Sequence, residues 1–458
     1  MAQFDGLPVP QRYWSATTIW LALALSVLDG SIANIALPTI ARDLSAAPAE
    51  SVWVVNAYQL TIVVSLLPLA ALGEIVGFRR VFQIGLVLFT AASLGCTLAQ
   101  SLPELAIARA VQGLGAACVM AENGALMRLT YPPKLLGRGI GLNALVISVS
   151  AAVGPTIASG ILAIAPWQWL FAINVPIGIL TILIGRRSLP DNETSGSFDI
   201  IGTFLNVLMF GLVFTCLDML TRDGITWLDS LGLAVGIAAG VLLVRRSQRQ
   251  DQPIIPLDLL KNGLFTLSIV TSVVSFSAQM LAFVMLPFYF EDVLHLSAVQ
   301  TGLLMTPWFL AIGVIAPISG RLADRFPAAI LGGVGLLVLA GGLVLLAVVP
   351  VGASMTDIGW RMALCGLGFG FFQAPNNRTL MFSAPIARSG AAGGMLATAR
   401  LTGQTIGASF AAIAFRFLGN PESVALGGAA VLAAGAAVVS MARLAQPPIA
   451  KPARSQAE

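Results

Sequence analysis

The chain has 458 residues, 57% of them hydrophobic and only 10% charged, with 25 Lys+Arg against 21 Asp+Glu and a net charge of +4. Soluble domains carry about 25% charged residues, so a water-soluble fold of this length would have too few charges to cover its surface. An integral membrane protein is expected, and large extramembrane catalytic domains are excluded, because fourteen spans of about 21 residues take roughly 294 positions.

In chain order, runs long enough to cross a bilayer fall at 14–37, 51–72, 81–100, 104–127, 139–164, 168–185 and 200–220. They continue at 225–244, 264–290, 299–320, 328–349, 359–381, 390–415 and 423–442. The predicted fold is all-α and integral to the membrane, with 14 transmembrane helices. The N-terminus lacks the basic region and cleavage site of a signal peptide, so the first span is expected to remain as an anchor. Cys96, Cys118, Cys216 and Cys365 each lie in an apolar run with no CxxC pair, which argues against disulfide or metal roles.

An even number of spans puts both termini on one side. That side receives 19 basic residues, among them Arg79, Arg80, Arg186, Arg187, Arg245, Arg246, Arg325 and Arg443. The other receives four: Arg42, Arg222, Arg361 and Arg416. The asymmetry makes the first side cytoplasmic, and it reads the basic excess as topology rather than nucleic-acid binding.

The chain also repeats itself at an offset of 249 to 253 residues. LGEIVGFRR (Leu72 to Arg80) is answered by LADRFPAAI (Leu322 to Ile330), which pairs Glu74 with Asp324. GLGAACVMAEN (Gly113 to Asn123) is answered by GLGFGFFQAPN (Gly366 to Asn376), and Leu37-Pro38 matches Leu286-Pro287. Gly141 and Gly154 match Gly394 and Gly407. Two six-helix halves follow, helices 1–6 (residues 14–185) and 9–14 (264–442). Residues 186–263 hold two inserted helices and their cytoplasmic linkers, and 443–458 reads as a disordered tail. Parallel six-helix repeats around a midplane site are a secondary-transporter architecture.

These segments resemble the major facilitator superfamily, in its 14-span drug:proton antiporter branch. LDGSIANIALPTI (Leu28 to Ile40) resembles the branch's helix-1 signature, and LGEIVGFRRVF its loop motif between helices 2 and 3. ARAVQGLGAA (Ala108 to Ala117) resembles the helix-4 motif, and AVGPTIASG (Ala152 to Gly160) the helix-5 antiporter motif with Gly154, Pro155 and Gly160. PNNRT and ATARLTGQTIG resemble helices 12 and 13. The sequence departs from the loop motif at Ala70, Glu74 and Ile75, and from its second copy at Pro327.

Five charges fall inside spans: Asp29, Arg109, Glu122, Asp218 and Arg400. A charge at the bilayer centre costs at least about 2.5–3.5 kcal/mol, so each calls for a role or a partner. Asp29 and Arg109 lie about 12 Å and about 9 Å below the outer ends of helices 1 and 4. The resemblance places both helices beside the central cavity, so the two are expected to form a proton-coupling couple; a static pair pinning two helices is the alternative. Arg400, about 15 Å into helix 13 with Gln404 one turn on, is expected in the cavity. Glu122, about 27 Å down helix 4, reads as a solvated interfacial acid, its part in proton handling left open. Asp218 reads as interfacial.

Asn34, Gln373, Asn376 and Asn377 are candidate polar lining, because amides facing lipid are costly. Tyr58 and Trp308 are candidate aromatic lining, with apolar filling as the alternative. Glu74, Gly77, Arg79, Arg80, Gly320, Asp324 and Arg325 form the expected gating loops, with a cytoplasmic charge latch across the two copies.

No P-loop, metal-spacing cluster or nucleophile–His arrangement occurs, so the chain is not read as an enzyme or an ATP-driven pump, and no cofactor is expected. The expected function is proton-coupled export of small lipophilic, cationic drugs or toxic compounds by alternating access, from a monomer in a bacterial inner membrane. Its expected partners are the small-molecule substrate, protons and the bilayer. An exporter of one specific metabolite is the alternative within transport, and a non-transporting sensor or scaffold the alternative outside it.

Overall fold

The computed structural model describes residues 6–191, 199–219, 227–249, 257–323, 325–350, 352–384, 389–418 and 420–446. Asp324, the Asp218 and Gly141 side chains, parts of both expected linkers and the tail beyond 446 lie outside the described residues. The architecture is helical throughout, with no strand among the described residues.

The helices are α1 (Gln11–Asp43), α2 (Trp53–Val76), α3 (Phe78–Leu98), α4 (Leu102–Thr130), α5 (Pro133–Ile164), α6 (Asn174–Ser188) and α7 (Ile200–Met219). They continue with α8 (Trp227–Ser247), α9 (Gly263–Phe288), α10 (Ala298–Leu322), α11 (Ala328–Ala347), α12 (Met355–Ser383), α13 (Ser389–Phe417) and α14 (Pro421–Ala442). Among the described residues, eleven spans are long and apolar enough to cross a membrane, which makes this a multi-pass membrane protein. The expected fourteen are not all met on that measure. The described side chains of α7 give an apolar stretch of Ile200–Cys216, and α12 and α13 carry the amides and arginines of the inner faces described below.

Local chemistry sets the helix ends. The Ser101 hydroxyl accepts from the Glu104 amide at the start of α4, and Pro103 sits in its first turn, where a missing N–H costs nothing. Asn262 does the same for α9, Ser354 for α12, and Ser297 with Gln300 forms a capping box on α10. Gly77 turns the chain between α2 and α3 at φ +109°, a conformation that disfavours any side chain.

The sequence repeat returns as a repeat of packing. In the first half α3 packs on α4, α2 on α4, α1 on α5 and α6, and α3 on α6; in the second, α11 packs on α12, α10 on α12, α9 on α13 and α14, and α11 on α14. Every pairing recurs eight helices later. The contacts agree in detail: a methyl group added at Gly113 would meet the Tyr58 carbonyl oxygen at 2.5 Å, and one at Gly366 the Trp308 carbonyl oxygen at 2.0 Å. Likewise Gly115 abuts the Phe89 backbone and Gly368 the Leu339 backbone. Glycines therefore let α4 and α12 approach their neighbours backbone to backbone, the contact that replaces hydrophobic driving force between helices in lipid.

The halves meet where α5 packs on α10, α2 on α13 and α1 on α9. Helices α7 and α8 pair with each other at the periphery, and α7 touches both α2 and α13, held by Asn206 Nδ2 donating to the Val64 carbonyl at 2.8 Å. Large apolar side chains on the outside, such as Ile84, Leu94, Ile107, Val314, Leu337 and Val431, are exposed on the surface that lipid would cover. The expected tail begins later than residue 443: Arg443–Ala445 form a 3₁₀ turn, and Arg443 is buried, donating to Asn376 Oδ1 at 2.8 Å, Ser268 Oγ at 3.2 Å and Ser440.

Candidate transport site

Asp29 of α1 and Arg109 of α4 are both fully buried and form a direct ion pair. The carboxylate also accepts from Gln112 Nε2 at 2.8 Å and from Asn174 Nδ2 of α6 at 2.9 Å, both on Oδ1. Arg109 donates from Nε to the Val54 carbonyl at 3.0 Å and from Nη1 to Gln112 Oε1 at 2.6 Å, and its guanidinium lies 4.1 Å from the centre of the Tyr58 ring. Gln112 is further held by Ser93 Oγ at 2.9 Å. Two charges buried without water persist only when their remaining hydrogen-bond capacity is filled, and here four helices fill it.

The fold does not require this couple. Aligning the repeats through Leu37/Leu286 and Gly113/Gly366 puts Ala278 opposite Asp29 and Met362 opposite Arg109, and both are buried in the second half's equivalent packing. The same helix pairings are thus built once around an ion pair and once around apolar side chains.

Between the halves lies a cavity of about 190 Å³. Of the residues expected there, Asn34, Tyr58, Gln373, Arg400 and Gln404 line it. Gln59 and Gln279 add amides, and Phe276, Phe283, Phe309 and Phe369 add an apolar surround. Asp29 and Arg109 are not among its walls; Tyr58 stands between, facing the cavity while its ring lies against Arg109 and its hydroxyl donates to the Ser26 carbonyl at 3.0 Å. No carboxylate lines the cavity among the described residues, so the expected cation finds no counter-charge in its walls.

Other expected residues lie elsewhere. Trp308, the repeat counterpart of Tyr58, is core: fully buried, it packs edge-on against Phe283 with ring centroids 4.9 Å apart. Asn376 turns away from the cavity, donating to Ser272 Oγ at 2.8 Å and accepting from Arg443. Asn377 is not part of the lining either. Glu122 is not a solvated interfacial acid: it is fully buried, neither carboxylate oxygen has a hydrogen-bond partner, and it fills the space that a side chain at Gly73 of α2 would take. Gly154 packs on Ser31 of α1, and the Pro155 carbonyl touches Gly302 of α10, so the helix-5 motif lies at the seam of the halves, while Gly160 faces open space.

Among the described residues, which leave out Asp324, no ion pair joins the loops of the two copies. Arg79 binds Asp191 at 2.8 Å and the Arg186 carbonyl at 2.5 Å, at the end of α6 and just beyond it rather than in the second copy. Glu74, Arg80 and Arg325 are exposed and have no ion pair among the described residues, and Gly320 faces open space. An inter-half ion pair occurs instead at the opposite end, where half-exposed Arg42 of α1 binds buried Glu291 just beyond α9. Across the same seam, Thr156 of α5 and Thr306 of α10 share a hydrogen bond of 2.9 Å.

Gln112, Asn174, Gln59 and Gln279 were not singled out from the sequence. Gln112 follows Arg109 by three residues on one helix face, a signal that could have found it. Asn174 carries no such signal, because only the packing of α6 brings it to Asp29.

Two helical bundles of equivalent packing around a central cavity are the architecture of a membrane transporter. Residues 19–408 match the family model of the Major Facilitator Superfamily, and the chain belongs to that family. It is 50% identical over 449 residues to the uncharacterized transporter YebQ of Escherichia coli, covering 97% of this chain and 98% of that protein. It is 32% identical to the riboflavin transporter RibZ of Clostridioides difficile (87% of each chain), and 31% identical to the multidrug resistance protein Stp of Mycobacterium tuberculosis (84% of this chain, 73% of that one). The fold matches a crystal structure of the peptide transporter POT with a TM-score of 0.72 at 15% identity, covering 94% of each chain.

Proposed function

We propose that this chain is a proton-coupled antiporter that exports small amphipathic compounds across a bacterial inner membrane by alternating access, with both termini cytoplasmic. The observation that carries the reading is the Asp29–Arg109 couple: a buried carboxylate one side chain away from the cavity, at a position where the other half does without charge. Protonation of Asp29 would cancel its attraction for Arg109, and Tyr58, in contact with Arg109 and exposed to the cavity, is the route by which cargo senses the change. The 19-to-4 split of basic residues supports the orientation. The two bundles would rock as units, residues 14–185 against 264–442, and because one chain supplies both walls of the cavity the monomer suffices.

The name of Stp supports a broad cargo range and that of RibZ a single compound. The cavity favours the narrower alternative in one respect. At about 190 Å³ it is below the roughly 300–1,000 Å³ of pockets that enclose drug-sized ligands. Comparing deletion and overexpression strains across a compound panel identifies the cargo; everted vesicles then test coupling. Adding cargo should collapse a preformed pH gradient in vesicles containing the protein, and a gradient unaffected by every exported compound would sink the proton-coupled reading.

A further inference from the structure

The central cavity contains a charge that the protein does not answer. Arg400 lines it from α13; its Nε is buried without a hydrogen-bond partner, and no carboxylate pairs with it among the described residues. The Asp29 carboxylate cannot supply the missing charge, because it is bound by Arg109, Gln112 and Asn174 on the far side of Tyr58. A guanidinium with a buried N–H that lacks an acceptor is unfavourable, and the scaffold does not demand it. At the equivalent repeat position Ile147 of α5 lines the same cavity with an apolar side chain. An unpaired positive group retained in a ligand cavity is a group waiting for an anion, since a planar guanidinium offers paired donors that match a carboxylate.

The rest of the lining describes the body of that ligand. Phe276, Phe309 and Phe369 offer flat apolar contact, and Gln373 and Gln404 offer amides that can both donate and accept. We propose that the cavity recognises compounds with a flat apolar body and an anionic oxygen group, such as a carboxylate or phenolate, held by Arg400, and that it disfavours cations. This rests on the transporter reading but not on proton coupling through Asp29.

The test uses purified full-length protein in detergent and three probes of one shape: naphthalene-2-carboxylate, its methyl ester, and naphthalen-2-ylmethylammonium. Binding is read by titration calorimetry, with thermal unfolding of each ligand-free variant as the folding control. The carboxylate should bind at least about tenfold more tightly than either analogue. That preference should vanish in Arg400→Gln and persist in Arg400→Lys. Gln404→Glu, which keeps Arg400 and sets a carboxylate one turn away, should weaken carboxylate binding in the same way, so the proposal stays testable should Arg400→Gln fail to fold. Equal binding of the three probes, binding of none, a preference for the ammonium, or carboxylate binding unchanged in either Arg400→Gln or Gln404→Glu overturns the proposal. Exported compounds that collapse a pH gradient yet show no anionic preference would overturn this inference and leave the transporter reading standing. Anion selectivity with no pH coupling would overturn the proton-coupled reading and leave this inference standing.

Discussion

Replacing Asp29 by Asn removes one charge from a sealed ion pair while keeping the shape of the side chain. Arg109 then remains buried with no counter-ion, and the new amide NH₂ replaces one of the two oxygens that Arg109, Gln112 and Asn174 donate to. Removing one partner of a buried pair costs about 3–5 kcal/mol. The second half indicates how to recover that loss. Asp29→Ala with Arg109→Met copies its Ala278 and Met362, leaving the hydrogen bonds to Gln112, Asn174 and the Val54 carbonyl unmade, at about 1 kcal/mol each. The double variant should therefore be more stable than Asp29→Asn, by up to about 2 kcal/mol, yet export nothing. Unfolding in mixed micelles gives the stabilities, and everted vesicles the transport. The reasoning is refuted by an Asp29→Asn protein within about 1 kcal/mol of wild type, or by a double variant no more stable than the single.

Further outcomes follow from other contacts. Gly366→Ala drives a methyl group into the Trp308 carbonyl, 2.0 Å away, and should destabilise by at least about 1–3 kcal/mol in the same unfolding assay, with Gly113→Ala close behind. Gly77→Ala forces a side chain into φ +109° and should cost about 1–2 kcal/mol, measured in the same way. Glu122→Gln removes a buried carboxylate that has no partner, so its thermal midpoint should equal or exceed that of wild type, the opposite of Asp29→Asn. Arg42→Ala breaks a half-exposed pair worth up to about 1 kcal/mol, so cysteines placed beneath that end of the cavity should react with a membrane-impermeant thiol reagent up to about fivefold faster.

The packing of the two halves was legible because lipid imposes it: small residues must recur where backbones touch, and Gly113, Gly115, Gly366 and Gly368 kept their spacing through the repeat. The pairing of Asp29 with Arg109 was legible from depth together with the resemblance, which sets helices 1 and 4 beside one cavity, since opposite charges at one level of a bilayer have few other places to go. The lining was less so. Tyr58 and Trp308 occupy equivalent positions, but Tyr58 borders the cavity and Arg109, while Trp308 is enclosed by Phe283. Asn376 looked like lining because its partner, Arg443, lay in what reads as a polar tail; the fold returns that arginine to the interior. Glu122 looked solvated from its depth, yet helix rotation turns it onto Gly73 rather than to water. Depth along a helix can be counted in a sequence, whereas the azimuth of each side chain awaits its neighbours.

The central claim is that Asp29 carries the proton that drives transport, and comparing two transport modes in one vesicle preparation tests it most directly. Counterflow exchange of labelled for unlabelled cargo needs no net proton movement, whereas accumulation against a gradient does. The account predicts that Asp29→Asn retains counterflow and loses accumulation driven by an imposed pH gradient. An Asp29→Asn protein that still concentrates cargo with the wild-type dependence on that gradient would contradict it.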